Sequence, residues 1–480
     1  MATAPLDSAD RPPGGWRQRL VGPRSAWRQA SAAQLFAASF LGLIGLGTVG
    51  FRVLPGLYTG EPFTWLDALF TTTSAVCVTG LIVEDTATFL TGWGQGYVLL
   101  LIQAGGLGIL TFTTLILNTL GRRLSLRHAS IMTETASFAP HVDPRRLTRD
   151  VFLFTFGVEA VGAAALWLFW LDELGPTGAL WPAIFHAVSA FCNAGFSTYT
   201  DSLVGWADAP GVLGVVMGLI VIGGIGFVVL EELTLLVRRR EHGRRTRLSL
   251  HARVVLATTA VLIVGGWGLF TLFEWNATFA AMSVPTKLLN GLFLSVTTRT
   301  AGFNTIHYGE AAADTNFLTI LLMSVGGSPG STAGGLKTTT AALIGLAAWS
   351  RLRGRPTVTL WFRTIPDEAV RRAVTLFVIA FGIVTTAIFV LTTTDLAWAD
   401  GIPLGEGQGP FLALMFEAAS AFNTVGLSMG VTGTLSAPGR LTMIVLMFIG
   451  RIGPLTFAAA LSRPERPAWI RYASEDVGVG

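Results

Sequence analysis

Four stretches decide how this chain folds: Phe70-TTTSAVCVT-Gly80-Leu81, Phe185-HAVSAFCNA-Gly195-Phe196, Phe293-LSVTTRTA-Gly302-Phe303 and Phe416-EAASAFNTV-Gly426-Leu427. Each sets a Phe, a helix-length run of small and polar residues, and a glycine beside an apolar residue. The glycines stand 115, 107 and 124 residues apart, so the repeating unit is a domain and not a solenoid turn. Four quasi-equivalent units of this kind are what a single chain needs to surround a pore.

Composition agrees with that reading. The chain has 480 residues, 51% hydrophobic and only 13% charged, with a mean hydropathy of +0.59. Soluble globular chains carry about 25% charged residues, so this is a polytopic membrane protein. A helix crosses the hydrocarbon core in about 20 apolar residues. Runs of that character lie at 32–51, 151–171, 211–230, 254–273, 373–391 and 441–461, with two interrupted ones near 96–120 and 315–350. Eight spans are predicted. The arginine-bearing segment before residue 32 lacks the apolar core and small-residue cleavage site of a signal peptide, so the first run stays as a helix.

Basic residues gather at 11–28, 122–149, 238–253, 351–372 and 463–471, which together hold 27 of the 33 Lys and Arg. The other connections carry Glu61, Asp67, Glu84, Asp85, Asp172, Glu173, Glu274, Glu310, Asp395 and Asp400. The positive-inside rule then puts both termini and the three inter-repeat linkers in the cytoplasm of a multi-pass cell-membrane protein. The net charge of +4 is a topology signal, not a nucleic-acid surface. Cys77 and Cys192 occupy corresponding positions and read as small residues on the walls of one pore, not as a disulfide.

The fold class expected is all-α, with four span–pore loop–span repeats and hence eight transmembrane helices plus four re-entrant pore helices around a central pore. The divisions are a basic arm 1–31, repeat 1 at 32–120, a linker 121–148, repeat 2 at 149–237, a linker 238–252, repeat 3 at 253–350, a linker 351–369, repeat 4 at 370–462 and a tail 463–480. The re-entrant parts, within 62–82, 181–198, 284–304 and 409–428, have too few residues before their glycine to cross, so they dip in and return. Backbone at that depth has to be buried or line a water-filled path. Trp181-Pro182 and Glu61-Pro62 suit the start of a pore helix, where proline is accepted in the first turn.

A cation leaving water needs its hydration shell replaced, and rings of backbone carbonyls do that. Aiming four strands at one axis calls for a residue that accepts positive φ, which Gly80, Gly195, Gly302 and Gly426 supply. The residues before them complete a candidate filter: Cys77, Val78 and Thr79; Cys192, Asn193 and Ala194; Arg299, Thr300 and Ala301; Asn423, Thr424 and Val425. The third repeat has one residue fewer between Phe and Gly, which offsets its strand slightly.

A second constellation interrupts repeat 3 at 326–338: Gly326, Gly327, Ser328, Pro329, Gly330, Ser331, Thr332, Ala333, Gly334, Gly335, Leu336, Lys337 and Thr338. A proline costs a helix roughly 3 kcal/mol and each glycine about 1, so this segment breaks the span and faces a cavity. It misses the GxxxxGK[ST] spacing of a nucleotide loop, because Leu336 stands before Lys337. Related small-residue knots recur at Gly105-Gly106, Gly223-Gly224 and Gly450-Arg451, with the second position 25 to 29 residues after each filter glycine. Arg451 therefore falls near mid-span, where an arginine costs at least about 2.5 kcal/mol. It reads as an electrostatic barrier facing the pore, and snorkelling to the interface is the alternative.

These residues resemble the Trk/Ktr/HKT superfamily of potassium transporters over nearly the whole chain, notably Thr300-Ala301-Gly302-Phe303-Asn304, Asn193-Ala194-Gly195-Phe196 and Asn423-Thr424-Val425-Gly426. With a short basic arm before repeat 1, the chain is more similar to the KtrB type than to TrkH-type pore subunits. The resemblance implies K⁺ held at the filter carbonyls, with Na⁺ as a second candidate ion, and glycine in all four filters implies K⁺ preference. It implies that 326–338 is an intramembrane gating loop with Arg451 as its pore arginine. It also implies a homodimer in the lipid membrane, docked on a cytoplasmic RCK-type ring that alone would bind nucleotide. The alternative is a Na⁺- or H⁺-coupled secondary transporter with a midplane site, a class that usually shows inverted or paired repeats. A membrane enzyme is disfavoured because no nucleophile–base pair or metal-spaced cluster stands out. His186 and Glu417 read as structural hydrogen-bonding residues, Arg299 as a brace behind the loops, and Glu231-Glu232 as ion-pair partners of nearby arginines. For Glu159 two readings stay open, an ion or proton ligand and an interhelical partner.

Overall fold

A computed structural model describes residues 32–120, 144–241, 247–399 and 408–461. The basic arm, most of the linker 121–148 and the tail 463–480 lie outside those residues. The helices are α1 (Ala32–Val53), α2 (Trp65–Val76), α3 (Gly92–Leu120), α4 (Pro144–Cys192), α5 (Pro210–Ile225), α6 (Phe227–Glu241), α7 (Leu250–Glu274), α8 (Val284–Thr297), α9 (Ala313–Met323), α10 (Thr338–Leu352), α11 (Asp367–Ala399), α12 (Pro410–Asn423), α13 (Ala437–Ile452) and α14 (Pro454–Leu461). One two-residue hairpin, β1 (Thr359–Leu360) with β2 (Arg363–Thr364), interrupts them. Helix is the expected answer for so apolar a chain, because a lipid-facing backbone has to satisfy its own polar groups.

Among the described residues four helical segments are long and apolar enough to cross a membrane: Ala33–Val53, Arg149–Cys192, Leu250–Glu274 and Asp367–Leu396. Each opens one of the predicted repeats. They display large apolar side chains outward, Leu46, Val161, Val261 and Phe389 among them. A surface of that kind suits lipid and not water. The core on the opposite faces is dominated by aromatics, and the Phe that opens each quoted stretch (Phe70, Phe185, Phe293, Phe416) is fully buried.

Three boundaries differ from the sequence reading. The span read at 211–230 is two helices, α5 and α6, bent by 102° at Gly226, whose φ is +93°. The span read at 441–461 breaks likewise at Gly453 (φ +90°), and Pro454 opens α14 because it cannot continue the preceding ladder. The segments read as the first span and pore helix of the second repeat form one kinked element, α4, with the bend at Gly175 (φ +70°). Its inner segment therefore starts at Pro176, and Pro182 lies inside a helix and not at its start. Glu61-Pro62 precedes α2, which begins after Thr64; the Thr64 hydroxyl accepts from the Asp67 N–H at 3.2 Å. Proline does take the first turn in α8 and α12.

Candidate functional site

The four glycines close a ring. A Cβ added to Gly80 would strike the Ala194 carbonyl, one on Gly195 would meet Gly302, one on Gly302 the Val425 carbonyl, and one on Gly426 the Thr79 carbonyl. Each loop thus abuts the next in chain order, and the fourth returns to the first. Glycine is required here on two counts, close approach and φ values of +93°, +71°, +82° and +93°.

The residue two before each glycine is also left-handed: Val78, Asn193, Thr300 and Thr424 have φ of 56°, 60°, 71° and 51°. Alternating left- and right-handed residues send successive N–H groups to one side and carbonyls to the other. The hydrogen bonds follow that division. Val78 N–H donates to Ala75 O at 3.1 Å, Thr79 N–H to Ser74 O at 2.8 Å, and Gly80 N–H to Ser74 Oγ at 3.0 Å. In repeat 4 the N–H groups of Thr424, Val425 and Gly426 turn back onto Ala421 and Ser420 in the same way. Among the described residues no hydrogen bond ends on the carbonyls of Val78, Thr79, Asn193, Ala194, Thr300, Ala301, Thr424 or Val425.

The anchor of each loop is a buried hydroxyl four residues after the Phe: Ser74, Ser189, Thr297 and Ser420. Ser189 Oγ donates to Phe196 O at 2.8 Å, and Thr297 Oγ1 to Phe303 O at 2.6 Å. The sequence reading passed over these four residues, although their constant offset from the Phe is visible in the quoted stretches.

Of the residues three before each glycine, Cys192 turns toward α3. Cys192 Sγ lies 3.4 Å from Gln103 Oε1 on α3, and both cysteines are free and buried. Cys192 is therefore packed between helices and not a wall of the ring. Arg299 is 7% exposed, and its guanidinium makes no hydrogen bond or ion pair among the described residues.

Below the ring, the small-residue knots explain themselves by contact. A Cβ on Gly105, Gly223 or Gly450 would fall on the carbonyl of Val76, Phe191 or Phe422, each four residues before one of the ring glycines. The 326–338 segment threads among these knots. Gly326 N–H donates to Leu336 O at 2.7 Å and Thr338 N–H to Gly327 O at 3.0 Å, which closes its ends. Lys337 Nζ donates to Ala333 O at 2.7 Å, and Ser331 Oγ to Ser328 O at 2.7 Å. Outward, Ser328 N–H donates to Gly224 O at 3.0 Å, Phe227 N–H to Gly330 O at 3.1 Å, and Gly335 N–H to Gly450 O at 3.3 Å. Gly334 and Gly335 pack on Thr424 and Asn423, directly under the fourth loop. Arg451, 3% exposed, donates through Nη1 to Thr332 O and through Nη2 to Gly105 O at 2.9 Å. It lies in the interior and joins three repeats.

Above the ring, two residues at corresponding positions tie down the outer turns. His186 Nδ1 donates to Pro182 O at 2.8 Å, which leaves Nε2 to accept from Ser197 Oγ at 2.9 Å. Glu417 accepts from Ser428 Oγ at 2.5 Å, Met429 N–H at 3.1 Å and Thr432 Oγ1 at 2.7 Å. Several outer acids are staples as well: Glu274 accepts from Ala312 N–H at 2.9 Å, Asp395 from Ser436 N–H at 2.6 Å, and Asp67 pairs with Arg440. Glu232 accepts from Ser249 N–H at 3.0 Å; neither it nor Glu231 forms an ion pair among the described residues.

The profile of the TrkH family of cation transport proteins matches residues 36–468. The chain belongs to this family. Its relatives include the Ktr system potassium uptake protein B of Bacillus subtilis (strain 168), 36% identical over 458 residues, or 95% of this chain and 98% of the relative. The potassium/sodium uptake protein NtpJ of Enterococcus hirae is also 36% identical, over 94% of this chain and 98% of its own length. The crystal structure of the potassium transporter TrkH from Vibrio parahaemolyticus matches with a TM-score of 0.70 at 20% identity, over 92% of this chain and 86% of that one. The chain thus has the TrkH fold and is a membrane protein of a cation-transport family.

Proposed function

We propose that this chain is the potassium-translocating pore subunit of a Trk/Ktr-type K⁺ uptake system. The observation that carries the reading is the ring of four loops whose carbonyls accept no hydrogen bond among the described residues, while the N–H groups of the first and fourth turn back onto α2 and α12. Such carbonyls replace the hydration shell of a monovalent cation. The names of the relatives, potassium and potassium/sodium uptake proteins, support K⁺ as cargo with Na⁺ as a second ion.

In this reading the chain is divided into four repeats, with the eight spans and four re-entrant helices set out above and both termini cytoplasmic. The 326–338 loop and Arg451 form the gate on the cytoplasmic side of the ring. The fixed positive charge repels K⁺ in a low-dielectric surround. Two copies pair and dock on a cytoplasmic RCK-type nucleotide-binding ring. Retraction of the loop when that ring changes state opens the path.

A coupled carrier is the second reading, and the helix breaks at Gly226 and Gly453 are the feature that favours it, since discontinuous helices build midplane sites. Proteoliposomes loaded for ⁸⁶Rb⁺ uptake, together with bilayer recording, separate the two. The pore reading predicts Rb⁺ uptake with unitary currents that need no Na⁺ or H⁺ gradient. Strictly gradient-coupled uptake without currents would overturn it.

A further inference from the structure

Glu159 is absorbed by neither filter nor gate. It lies on the outer leg of α4, 4% exposed, and Gln103 Nε2 of α3 reaches its two oxygens at 3.1 and 3.0 Å. Cys192 Sγ, three residues before the filter glycine of repeat 2, lies 3.9 Å from Glu159 Oε1. Both neighbours are uncharged, and among the described residues no ion pair reaches this carboxylate. An ionisable residue held inside a membrane bundle without a counter-charge marks a functional site.

Glu159 and Gln103 line a cavity of about 500 Å³ between α3 and the two legs of α4. Its walls are apolar, among them Leu99, Trp181, Ile184 and Val188. At its mouth stand Leu100 and Phe156, both exposed on the outward surface of the bundle. With these exposed residues in its lining the cavity opens toward the lipid-facing surface, and it presents two kinds of acceptor. One is the Glu159 carboxylate; the other is Gln103 Oε1, whose one described donor is the weak Cys192 thiol. Apolar walls with a few convergent polar atoms at one end define a small-molecule site.

We infer that this side cavity binds a lipophilic ammonium ion, a protonated amine on a compact apolar body that arrives through the bilayer. The ammonium supplies the missing counter-charge and donates to Glu159 and Gln103, while the apolar body fills the space between Leu99, Trp181, Ile184 and Val188. A quaternary ammonium has no N–H and a neutral alcohol no charge, so each satisfies only half of the site. The occupant sits one side chain behind the second filter loop, through Cys192, and its arrival is felt there.

The test uses the full-length chain in nanodiscs with 1-adamantylammonium as probe and 1-adamantanol as its uncharged isostere, and binding is read by thermal shift and by Trp fluorescence. The expected result is saturable binding of the amine at least tenfold tighter than of the alcohol. Glu159→Gln abolishes that difference, and Ala163→Trp, which fills the cavity while sparing the carboxylate, abolishes binding of both. Equal binding of amine and alcohol to the wild type would overturn the site, as would amine binding that survives both variants. A second arm measures the K⁺/Na⁺ reversal potential with and without amine. It rests on the filter reading, whereas the binding arm does not, so the two fail separately. A shift in reversal potential lost in Glu159→Gln supports the link through Cys192, and an unchanged potential at saturating amine overturns that link alone.

Discussion

Ser74→Ala removes the hydroxyl that holds the first loop of the ring, the proposed filter. The structure gives the magnitude. Ser74 is fully buried and its Oγ accepts from Gly80 N–H at 3.0 Å, within a loop that is itself buried. Alanine leaves that N–H without a partner and no water to replace it, a cost of about 1–3 kcal/mol. At about 1.4 kcal/mol per factor of ten, the ordered loop loses roughly five- to 150-fold in population relative to its alternatives. Because the alternation of φ at Val78 and Gly80 aims the carbonyls, a loosened loop accepts a smaller ion more readily. The expected outcome is a K⁺/Na⁺ permeability ratio lower by about fivefold or more. Ser74→Thr, which keeps the hydroxyl as Thr297 does in repeat 3, retains most of the selectivity. The assay is the bi-ionic reversal potential of the purified chain, with thermal unfolding measured in parallel. A Ser74→Ala protein of wild-type stability and wild-type selectivity would refute the reasoning.

Gly450→Ala places a methyl group on the Phe422 carbonyl and forces α13 away from α12, so the expected result is a large loss of folded protein on size exclusion; Gly345→Ala, with open space around it, serves as the tolerated control. Arg451→Ala frees Thr332 O and Gly105 O and removes the positive charge below the ring, which should raise K⁺ flux and weaken its dependence on the cytoplasmic partner ring while the reversal potential stays put. Unchanged flux and partner dependence in a folded variant would put the gate elsewhere. Asp67→Ala leaves the partly buried Arg440 guanidinium with the Leu435 and Gly433 carbonyls as its remaining partners among the described residues, and should lower the unfolding midpoint by the equivalent of about 1–3 kcal/mol, checked by thermal scanning.

What the sequence made legible was whatever it said four times. The Phe–Gly stretches repeat in register, and their ring, left-handed glycines and buried Phe residues follow from that repetition. The knots at Gly105, Gly223 and Gly450 were visible for the same reason, though not that each seats a carbonyl of a pore helix. The helix breaks were hidden. Gly226 and Gly453 are two among 56 glycines, and the apolar composition of 211–230 is the same whether the backbone runs straight or bends by 102°. The outer acids read as a charge bias, yet Glu274 and Asp395 turn out to cap backbone N–H groups far along the chain. Contacts such as Arg451 with Thr332, separated by 119 residues, depend on how repeats assemble, and no local pattern encodes them.

The central claim is that four equivalent loops form one filter, and the most direct measurement replaces each glycine in turn. Gly80→Ser, Gly195→Ser, Gly302→Ser and Gly426→Ser each add a Cβ at positive φ that meets the backbone of the adjoining loop. Bi-ionic K⁺/Na⁺ reversal potentials of the four reconstituted variants should all move toward Na⁺, by comparable amounts. A folded, conducting set in which only one variant moves, or none, would contradict the ring as the seat of selectivity.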